Sequence, residues 1–428
     1  MARRLLLLCL LALVRPGPVA AQHLRDRLQD LFTFGSCGRP LCLDGSVSVA
    51  NGHGDHFIPD LIAGNAAVIG FLTDAIAANV ASVPITASAS GETYRFVGGL
   101  PVKTSESLGP IFAERAQTMG RGRVFVGAHV ARAPLKTLRG VPLDGLLLNF
   151  THQDVGTPGL GDPLLENDVL RMNLELFVDL TVVSAFVTYG LTDAVDVSLA
   201  VPLVHTSLQG RSQAEVLPFG STAVHFFTGT SETPGLRANA ATFGSSTGIG
   251  DIALRVKANL HSGERYAFAL LGDARLPTGN EENFTGAGAL ALRGYALGSA
   301  QFGTFSPHLN AGYLLRAGEA RNDALLVTGG FDQPLSDWAT LAVDVISEWQ
   351  IGENENPLPG TVHFEFPFTR TVEPTNIPET RDHRVQTSLG FKFRVSGGPT
   401  LLVNALVPVR RGGLQPYVMW TAGIDFTF

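Results

Sequence analysis

Apolar and polar residues alternate along many segments of the chain, most plainly in its last residues, PYVMWTAGIDFTF. One parity of this segment is apolar: Val418, Trp420, Ala422, Ile424, Phe426 and Phe428. Successive side chains of a β-strand point to opposite faces, so the segment predicts a strand with one apolar face. The same pattern occurs in residues 195–203, 251–260 and 385–395. Stretches of about ten residues are long enough to cross a bilayer as tilted strands.

Applied to the whole chain, the pattern predicts about fourteen strands. They are 91–98, 122–131, 144–152, 168–190, 194–207, 246–261, 265–277, 286–300, 302–316, 323–333, 338–350, 381–395, 399–410 and 414–428. Long connections alternate with tight turns such as 191–193 and 396–398. Outer-membrane barrels have short turns at one end and longer loops at the other.

We therefore expect an all-β fold: a transmembrane antiparallel β-barrel of about fourteen strands, with an N-terminal plug segment that contains a short helix. The alternative is a soluble β-sandwich or propeller. A propeller would show a repeat of blade length, which the sequence lacks, and a sandwich has no reason to separate short from long connections.

Composition and charge support a membrane location. Charged residues make up only 16% of the chain, against about 25% in typical domains. Residues 1–21 have the pattern of a secretory signal peptide, with Arg3 and Arg4 before a short apolar run. Without their three arginines the net charge changes from −7 to −7 − 3 = −10. So acidic a chain argues against a nucleic-acid partner. We expect three parts: a signal peptide (1–21), an N-terminal plug segment (22–90) and the barrel (91–428).

Few residues suggest chemistry. Cys37 and Cys42 are expected to form a disulfide, because the chain is exported and their spacing fits neither a metal nor a redox motif. The stretch NGHGDHF carries His53, Asp55 and His56, which could ligate a metal. Because the stretch is Gly-rich, we interpret it as a loop and expect neither a metal nor a cofactor.

Catalysis is not expected. A hydrolase would need a serine, a histidine and an orienting acid or amide close together, and His205 with Ser207 has no evident third partner. The sequence also lacks a G-x-S-x-G nucleophile elbow.

Several charged residues fall on the polar parity of their strands and are expected to line the barrel lumen. They are Arg255, Lys257, Asp273, Arg275, Arg293, Asp344, Glu348, Lys392 and Arg394. Charge is tolerated in a wet lumen, whereas it costs about 2–4 kcal/mol on the lipid side. Such residues could contact a substrate, or they could only form ion pairs that hold the plug to the wall.

Three stretches resemble a known family: SLGPIFAERAQTMGRGRVFVG (107–127), FVTYGLTDAVDVSLAVPLV (186–204), and GIGDIALRVKANL with ARLPTGNEEN (within 248–283). They are similar to the meta-pathway phenol-degradation proteins, which are related to the FadL-like long-chain fatty-acid transporters. The resemblance covers about residues 50–428. It implies a fourteen-stranded barrel with an N-terminal plug and passive uptake of hydrophobic compounds. It also implies that the barrel-insertion machinery recognises Phe428.

The sequence thus predicts a channel in the outer membrane of a Gram-negative bacterium, embedded in lipid, for small hydrophobic molecules of the fatty-acid or aromatic type. The alternative is a structural or assembly barrel whose lumen is permanently sealed. The ligand is expected to enter through the loops 208–245 and 351–380. We expect it to contact Phe226, Phe227 and then a plug helix at Ile69, Phe71, Leu72 and Ile76. The loop aromatics could equally form a lid by packing on one another.

Overall fold

The computed structural model describes most of the chain. The described residues are 22–45, 53–60, 62–80, 94–97, 100–103, 107–152, 167–220, 223–318, 321–365, 368–396 and 398–428. The predicted signal peptide and the predicted boundary between residues 90 and 91 lie outside these residues.

The described helices precede the barrel strands. They are α1 (Leu24–Asp30), a short 3-10 turn (His53–Asp55) and α2 (Ala63–Val80). Among the described residues, no helix is long and apolar enough to cross a bilayer.

The strands run in chain order from β1 to β22. They are β1 (Tyr94–Val97), β2 (Leu100–Lys103), β3 (Val124–Leu138), β4 (Val141–Pro142), β5 (Leu146–Thr151), β6 (Val169–Gly190), β7 (Val195–Leu217), β8 (Thr228–Gly229), β9 (Pro234–Gly235), β10 (Arg237–Ile249), β11 (Ala253–Ser262), β12 (Tyr266–Arg275), β13 (Ala291–Ala300), β14 (Ser306–Arg316), β15 (Ala324–Ser336), β16 (Ala339–Gln350), β17 (Val362–Phe364), β18 (Arg370–Val372), β19 (Arg384–Arg394), β20 (Thr400–Arg410), β21 (Leu414–Pro416) and β22 (Met419–Thr427).

An antiparallel barrel is the central feature of the fold. In the described part of the chain, twelve strands close the ring, in the order β3, β6, β7, β11, β12, β13, β14, β15, β16, β19, β20 and β22. The ring closes where β22 pairs with β3. The predicted barrel class is confirmed, but the closed ring has twelve strands rather than about fourteen.

The two additional predicted strands exist but do not join the ring. Residues 94–97 pair with 100–103 in a separate hairpin. β5, predicted as 144–152, pairs with residues 169–174 of β6, beyond the point where β3 ends its own pairing with β6, and an isolated bridge joins Leu148 to Thr375. The alternation correctly predicted strands at these places, but strand partners depend on the register of β6, which the pattern does not specify.

The outer surface of the ring is apolar. Leu254 and Val256 on β11 are 44% and 51% exposed, while their neighbours Arg255 and Lys257 are buried inside. Exposed aromatic side chains lie near the short-turn end (Tyr189, Tyr266, Phe302, Trp338 and Phe428) and near the long-loop end (Tyr313, Trp349 and Tyr417). A strand of ten residues, with a rise of ~3.3 Å per residue and a tilt of ~40° from the barrel axis, extends about 25 Å along that axis, which is the height of a lipid-facing band. This belt is the surface that a transmembrane barrel presents to lipid.

β6 and β7 are about twice as long as the other ring strands and continue past the long-loop end of the ring. There they form a four-stranded sheet with β5 and β10, which we name the extension. In the extension the polarity of the two faces is reversed. Outward residues of β6 such as Arg171 and Asn173 are polar and exposed, whereas the inward Met172 and Leu174 are fully buried.

The N-terminal segment covers the apolar inner face of the extension. Leu24 and Leu28 of α1, Leu31 directly after it and Phe71 of α2 belong to one hydrophobic core with the inward residues of β5, β6 and β7. Leu31 lies so close to Gly210 of β7 that a Cβ on Gly210 would be 2.5 Å from it. The segment therefore closes the barrel at its long-loop end, not beneath the ring at the short-turn end.

The N-terminal segment has one covalent link within itself and a further link to the barrel. Cys37 and Cys42 form the expected disulfide, with an S–S distance of 2.00 Å. The Asn65 side chain of α2 donates hydrogen bonds to the carbonyls of Phe57 and Thr151, at 2.9 and 3.0 Å. The second bond ties α2 to the end of β5.

The reversal of polarity along β6 gives a matched pair of substitutions. Asn173 and Val183 both point outward, but Asn173 lies in the extension and Val183 lies in the ring. Val183→Arg is expected to destabilise the folded barrel by about 2–4 kcal/mol because it places a charge in lipid. Asn173→Arg, which faces water, is expected to change stability little. Urea titrations of both variants in lipid vesicles, followed by heat-modifiable gel migration, measure the difference. Equal stability of the two variants would contradict the assignment of the membrane band.

Candidate functional site

The lumen is filled at its short-turn end by residues 107–121, which we name the lumen segment. All of this segment is described, and it contains no helix or strand. Its backbone polar groups therefore need hydrogen-bond partners from the barrel wall. Wall side chains accept hydrogen bonds from the backbone amides of Leu108, Phe112, Glu114, Ala116 and Met119. Their acceptor atoms belong to Thr340, Asp344, Asn310, Ser299 and Asp196.

The two lumen lysines hold the segment by its carbonyl groups. Lys392 Nζ donates to the carbonyls of Pro110 and Leu108, at 2.6 and 3.3 Å. Lys257 Nζ donates to the carbonyl of Arg115 at 3.3 Å. Both lysines are almost completely buried. Their partners explain why two ammonium groups are tolerated there, since a buried charge must be hydrogen-bonded.

Side chains of the segment add ion pairs to the wall. Arg115 pairs with Asp332, which also faces His308. Glu114 lies 3.4 Å from Arg255 and 3.7 Å from Lys257. The short-turn end of the lumen is therefore closed by a segment fixed through both its backbone and its side chains.

Above this closure, three arginines surround one carboxylate. Asp273 is 2.6 Å from Arg255, 3.4 Å from Arg293 and 3.9 Å from Arg275. The three strands β11, β12 and β13 are neighbours in the ring, and the register places Arg255, Asp273 and Arg293 directly opposite one another. These charges thus form one arginine-rich cluster on the wall.

A cavity of about 160 Å³ lies beside this cluster, between the lumen segment and the long-loop end. One side of it is apolar and is formed by residues of β3, β6, β21 and β22, namely Leu135, Leu180, Leu414 and Met419. Phe112 and Ile346 also line the cavity. The other side is charged and is formed by Glu114, Arg255, Asp273, Arg275, Arg293, Glu348 and Arg384. Four arginines minus three carboxylates leave a net charge of +1. Among the described residues, Arg384 Nε has no hydrogen-bond partner.

The structure separates the predicted site residues into groups. Arg255, Asp273, Arg275 and Arg293 line the cavity, whereas Lys257 and Lys392 hold the lumen segment. Arg394 lies at the short-turn end, where its backbone amide donates to the carbonyl of Trp338.

The predicted apolar contact residues lie in the hydrophobic core rather than in the cavity. Ile69, Phe71, Leu72 and Ile76 are all buried. The Arg139 guanidinium lies 4.8 Å from the centre of the Phe71 ring. Phe226 is fully buried, and the Phe227 ring packs 5.2 Å from that of Phe34. Phe226 lies against Gly45 and Phe227 against Phe34, so these two loop aromatics pack on the N-terminal segment and form no exposed capture surface.

Sequence reasoning did not identify the lumen segment as part of the site. It placed the plug at residues 22–90 and assigned 91–428 to the barrel. The available signal was that residues 107–121 form no strand pattern and carry Glu114 and Arg115 inside an apolar stretch, SLGPIFAERAQTMG. A charged, irregular segment between predicted strands has to lie either outside the membrane or in the lumen.

Sequence comparison assigns the chain to a family. A profile of the family described as "Putative MetA-pathway of phenol degradation" matches residues 161–405, more than half of the chain. The chain belongs to this family. The matched range runs from β6 into the middle of β20, so the family relationship rests on the wall and not on the lumen segment. A search of curated protein sequences found no match.

Solved structures with similar folds include three outer-membrane proteins of Pseudomonas. An outer membrane channel of Pseudomonas putida F1 has 9% identity and a TM-score of 0.41, over 73% of this chain and 97% of that chain. A FadL homologue of Pseudomonas aeruginosa has 12% identity and a TM-score of 0.32, over 80% and 97%. The P. putida toluene transporter TodX has 8% identity and a TM-score of 0.31, over 72% and 89%. Likeness at this level carries no argument about substrate.

Loosening the lumen segment should open the barrel. Lys392→Met removes the donor to two buried carbonyls, and each unpaired carbonyl costs about 1–3 kcal/mol, so the displaced state should become about tenfold or more populated. We expect larger and more frequent ion-conductance events in planar bilayers. Lys136→Met, at an exposed position, is the matched control and should conduct like the unmodified protein. A folded Lys392→Met barrel with unchanged conductance would contradict this role for the lysine.

Proposed function

We propose that this protein is an outer-membrane channel that admits small hydrophobic molecules carrying one polar or anionic group. The observation that carries the proposal is the two-sided cavity in the middle of the lumen, apolar at Leu135 and Leu180 and arginine-rich at Arg255 and Arg384. Binding sites for small molecules commonly combine an apolar lining with a few convergent polar groups.

The size of the cavity favours a molecule with one aromatic ring or a short aliphatic chain. An apolar cavity of about 150 Å³ is known to accommodate benzene. The present cavity, at about 160 Å³, is of that size. Burial of the ring against the apolar side would contribute about 25 cal/mol for each Å² removed from water.

The charged side favours a ligand with a phenolic, phenolate or carboxylate group. The cavity lining has a net charge of +1, and the Nε donor of Arg384 has no partner among the described residues. An arginine can bind a carboxylate through two parallel hydrogen bonds. Membership of a family described by phenol degradation agrees with such a ligand.

The proposed location is the outer membrane of a Gram-negative bacterium, with the long loops and the N-terminal segment on the outer side. A ligand would enter past the N-terminal segment, near α2, and rest in the cavity without a covalent step, so no enzymatic activity is proposed. Because the lumen segment closes the other end, further passage requires that segment to move. A permanently sealed barrel is the competing function, and the many bonds to the lumen segment favour it.

Filling the cavity distinguishes the two functions. Ile346 lines the cavity, whereas Val345 on the same strand is 44% exposed on the lipid side. Ile346→Trp is expected to reduce uptake of labelled toluene and benzoate by proteoliposomes about tenfold, because the indole occupies the site. Val345→Trp should leave uptake unchanged, since tryptophan is tolerated against lipid.

The same assay tests the polar side of the cavity. Arg384→Gln should slow benzoate more than toluene, because only benzoate has a carboxylate for the guanidinium to bind. If the unmodified protein admits neither compound above empty vesicles, the barrel is a seal and the channel proposal is wrong.

We also propose that the C-terminal strand is recognised by the barrel-insertion machinery through Phe428. The ring of Phe428 is 72% exposed at the short-turn end, and its backbone pairs with Val124 through bonds of 2.8 and 3.1 Å. Its side chain therefore has little role in packing the barrel.

Deletion of Phe428 should lower the amount of heat-modifiable barrel in cell membranes severalfold, while refolding of purified protein in detergent stays near normal. Phe428→Tyr, which keeps an aromatic terminus, is the control. Equal membrane levels of the deletion and the control would contradict recognition through this residue.

A further inference from the structure

Four histidines meet in the core beneath the extension, and none of them lines the cavity. They are His53, His56, His152 and His225, which we name the histidine cluster. His53 and His56 come from the N-terminal segment, His152 follows β5, and His225 lies in the loop after β7. All four are buried. Neither the family relationship nor the proposed transport function assigns a role to them.

Three of the imidazoles are close enough to share one ion. The possible ligand nitrogens of His53, His56 and His225 all lie within 4.8 Å of one another. His225 Nε2 is 3.2 Å from His56 Nδ1. Two nitrogens bound to a tetrahedral zinc ion at 2.0–2.1 Å would be about 3.3 Å apart. The pair therefore already has the spacing of two zinc ligands, and His53 needs only a small side-chain movement.

A carboxylate orients one of these ligands. Asp168 Oδ2 lies 2.8 Å from His225 Nδ1, and the other oxygen of Asp168 accepts the Phe219 amide at 2.6 Å. Since a carboxylate accepts, Nδ1 of His225 carries the proton, and Nε2 presents its lone pair to His56 and His53. Zinc-binding histidines usually donate their second ring N–H to a carboxylate in this way.

One ligand atom is left over from the hydrogen bonds of the cluster. The buried Nδ1 of His53 has no hydrogen-bond partner among the described residues, so it is available to bind an ion.

We infer that His53, His56 and His225 form a zinc site, with Asp168 as a positioning residue behind His225. His152 packs against two of the ligands, with ring centres 5.2 Å from His56 and 4.6 Å from His225. Imidazole ligands without thiolate or further carboxylate favour zinc over magnesium or calcium. The ion would join the N-terminal segment to the loop after β7 and, through Asp168, to the start of β6. The ion would thus hold the N-terminal segment on the inner face of the extension.

Zinc binding can be measured on the full chain folded in detergent. After treatment with a chelator, dialysis against zinc and metal analysis, we expect about one zinc ion per chain. X-ray absorption should show nitrogen ligands at about 2.0 Å from the metal. Zinc should also protect the N-terminal segment from proteolysis. Folded, unmodified protein that retains less than about a tenth of an equivalent of zinc would overturn the proposal.

Variants locate the ion. His56→Gln and His225→Gln should lose the zinc, and Asp168→Asn should weaken its binding by about 10–100-fold with folding intact. His363→Gln, at an exposed histidine, is the matched control and should bind like the unmodified chain. Zinc retained by a folded His56→Gln/His225→Gln double variant would place the ion elsewhere and overturn the proposal.

A measurement without substitutions covers the case in which variants fail to fold. Cobalt(II) in a tetrahedral site of the unmodified protein gives visible absorption bands, and zinc should displace it. If the folded protein shows no such bands, the histidines are joined by hydrogen bonds alone and the proposal is wrong.

Discussion

The structure depends on a reversal of polarity within two strands. In the halves of β6 and β7 that belong to the ring, outward residues such as Val183 and Leu203 are apolar because the outside is lipid. In the extension, outward residues such as Asn173 and Gln213 are polar, and the apolar side chains point inward instead. An inward apolar surface at the mouth of a wet barrel has to be covered. The N-terminal segment provides that cover, and the fold of the whole long-loop end follows from it.

The cavity results from two different closures of one lumen. At the long-loop end the closure is apolar, and it consists of α1, α2 and the core around Leu174 and Leu208. At the short-turn end the closure is polar, and it consists of the lumen segment held by Lys257 and Lys392. Between them the cavity wall is charged on β11, β12, β13, β16 and β19 and mainly apolar on β3, β6, β21 and β22, so the cavity has one side of each kind. A ligand with an apolar body and a polar end would match both sides.

Much of the architecture was predictable because the barrel wall is a repetitive, local pattern. Alternation gave the ring strands from β12 to β20 close to their observed bounds, and it gave the inward direction of Arg255, Asp273 and Lys392. The prediction 246–261 was wrong in merging the end of β10 with β11, and 194–207 ended ten residues before β7 does, inside the predicted loop 208–245. The prediction failed where pairing between segments distant in the sequence determines the neighbours of a strand. The segment 168–190, predicted as one strand, is a single strand, but its two halves have different neighbours, and its outward face changes from polar to apolar. Apolar residues move from even positions at Leu170–Val182 to odd positions at Val183–Val187, a signal that the prediction did not use.

By itself, the sequence determined the class of fold, the end at which the short turns lie, the disulfide and the inward charges, because each depends on close neighbours along the chain. The tertiary structure alone decided the twelve-stranded ring, the lumen segment as the inner closure and the partners of each charge. It also brought His225 and Asp168 to His53 and His56, which lie in a distant part of the sequence. Such contacts depend on the register of the strands around a closed barrel. A shift of that register by one residue moves every side chain of a strand to the opposite face.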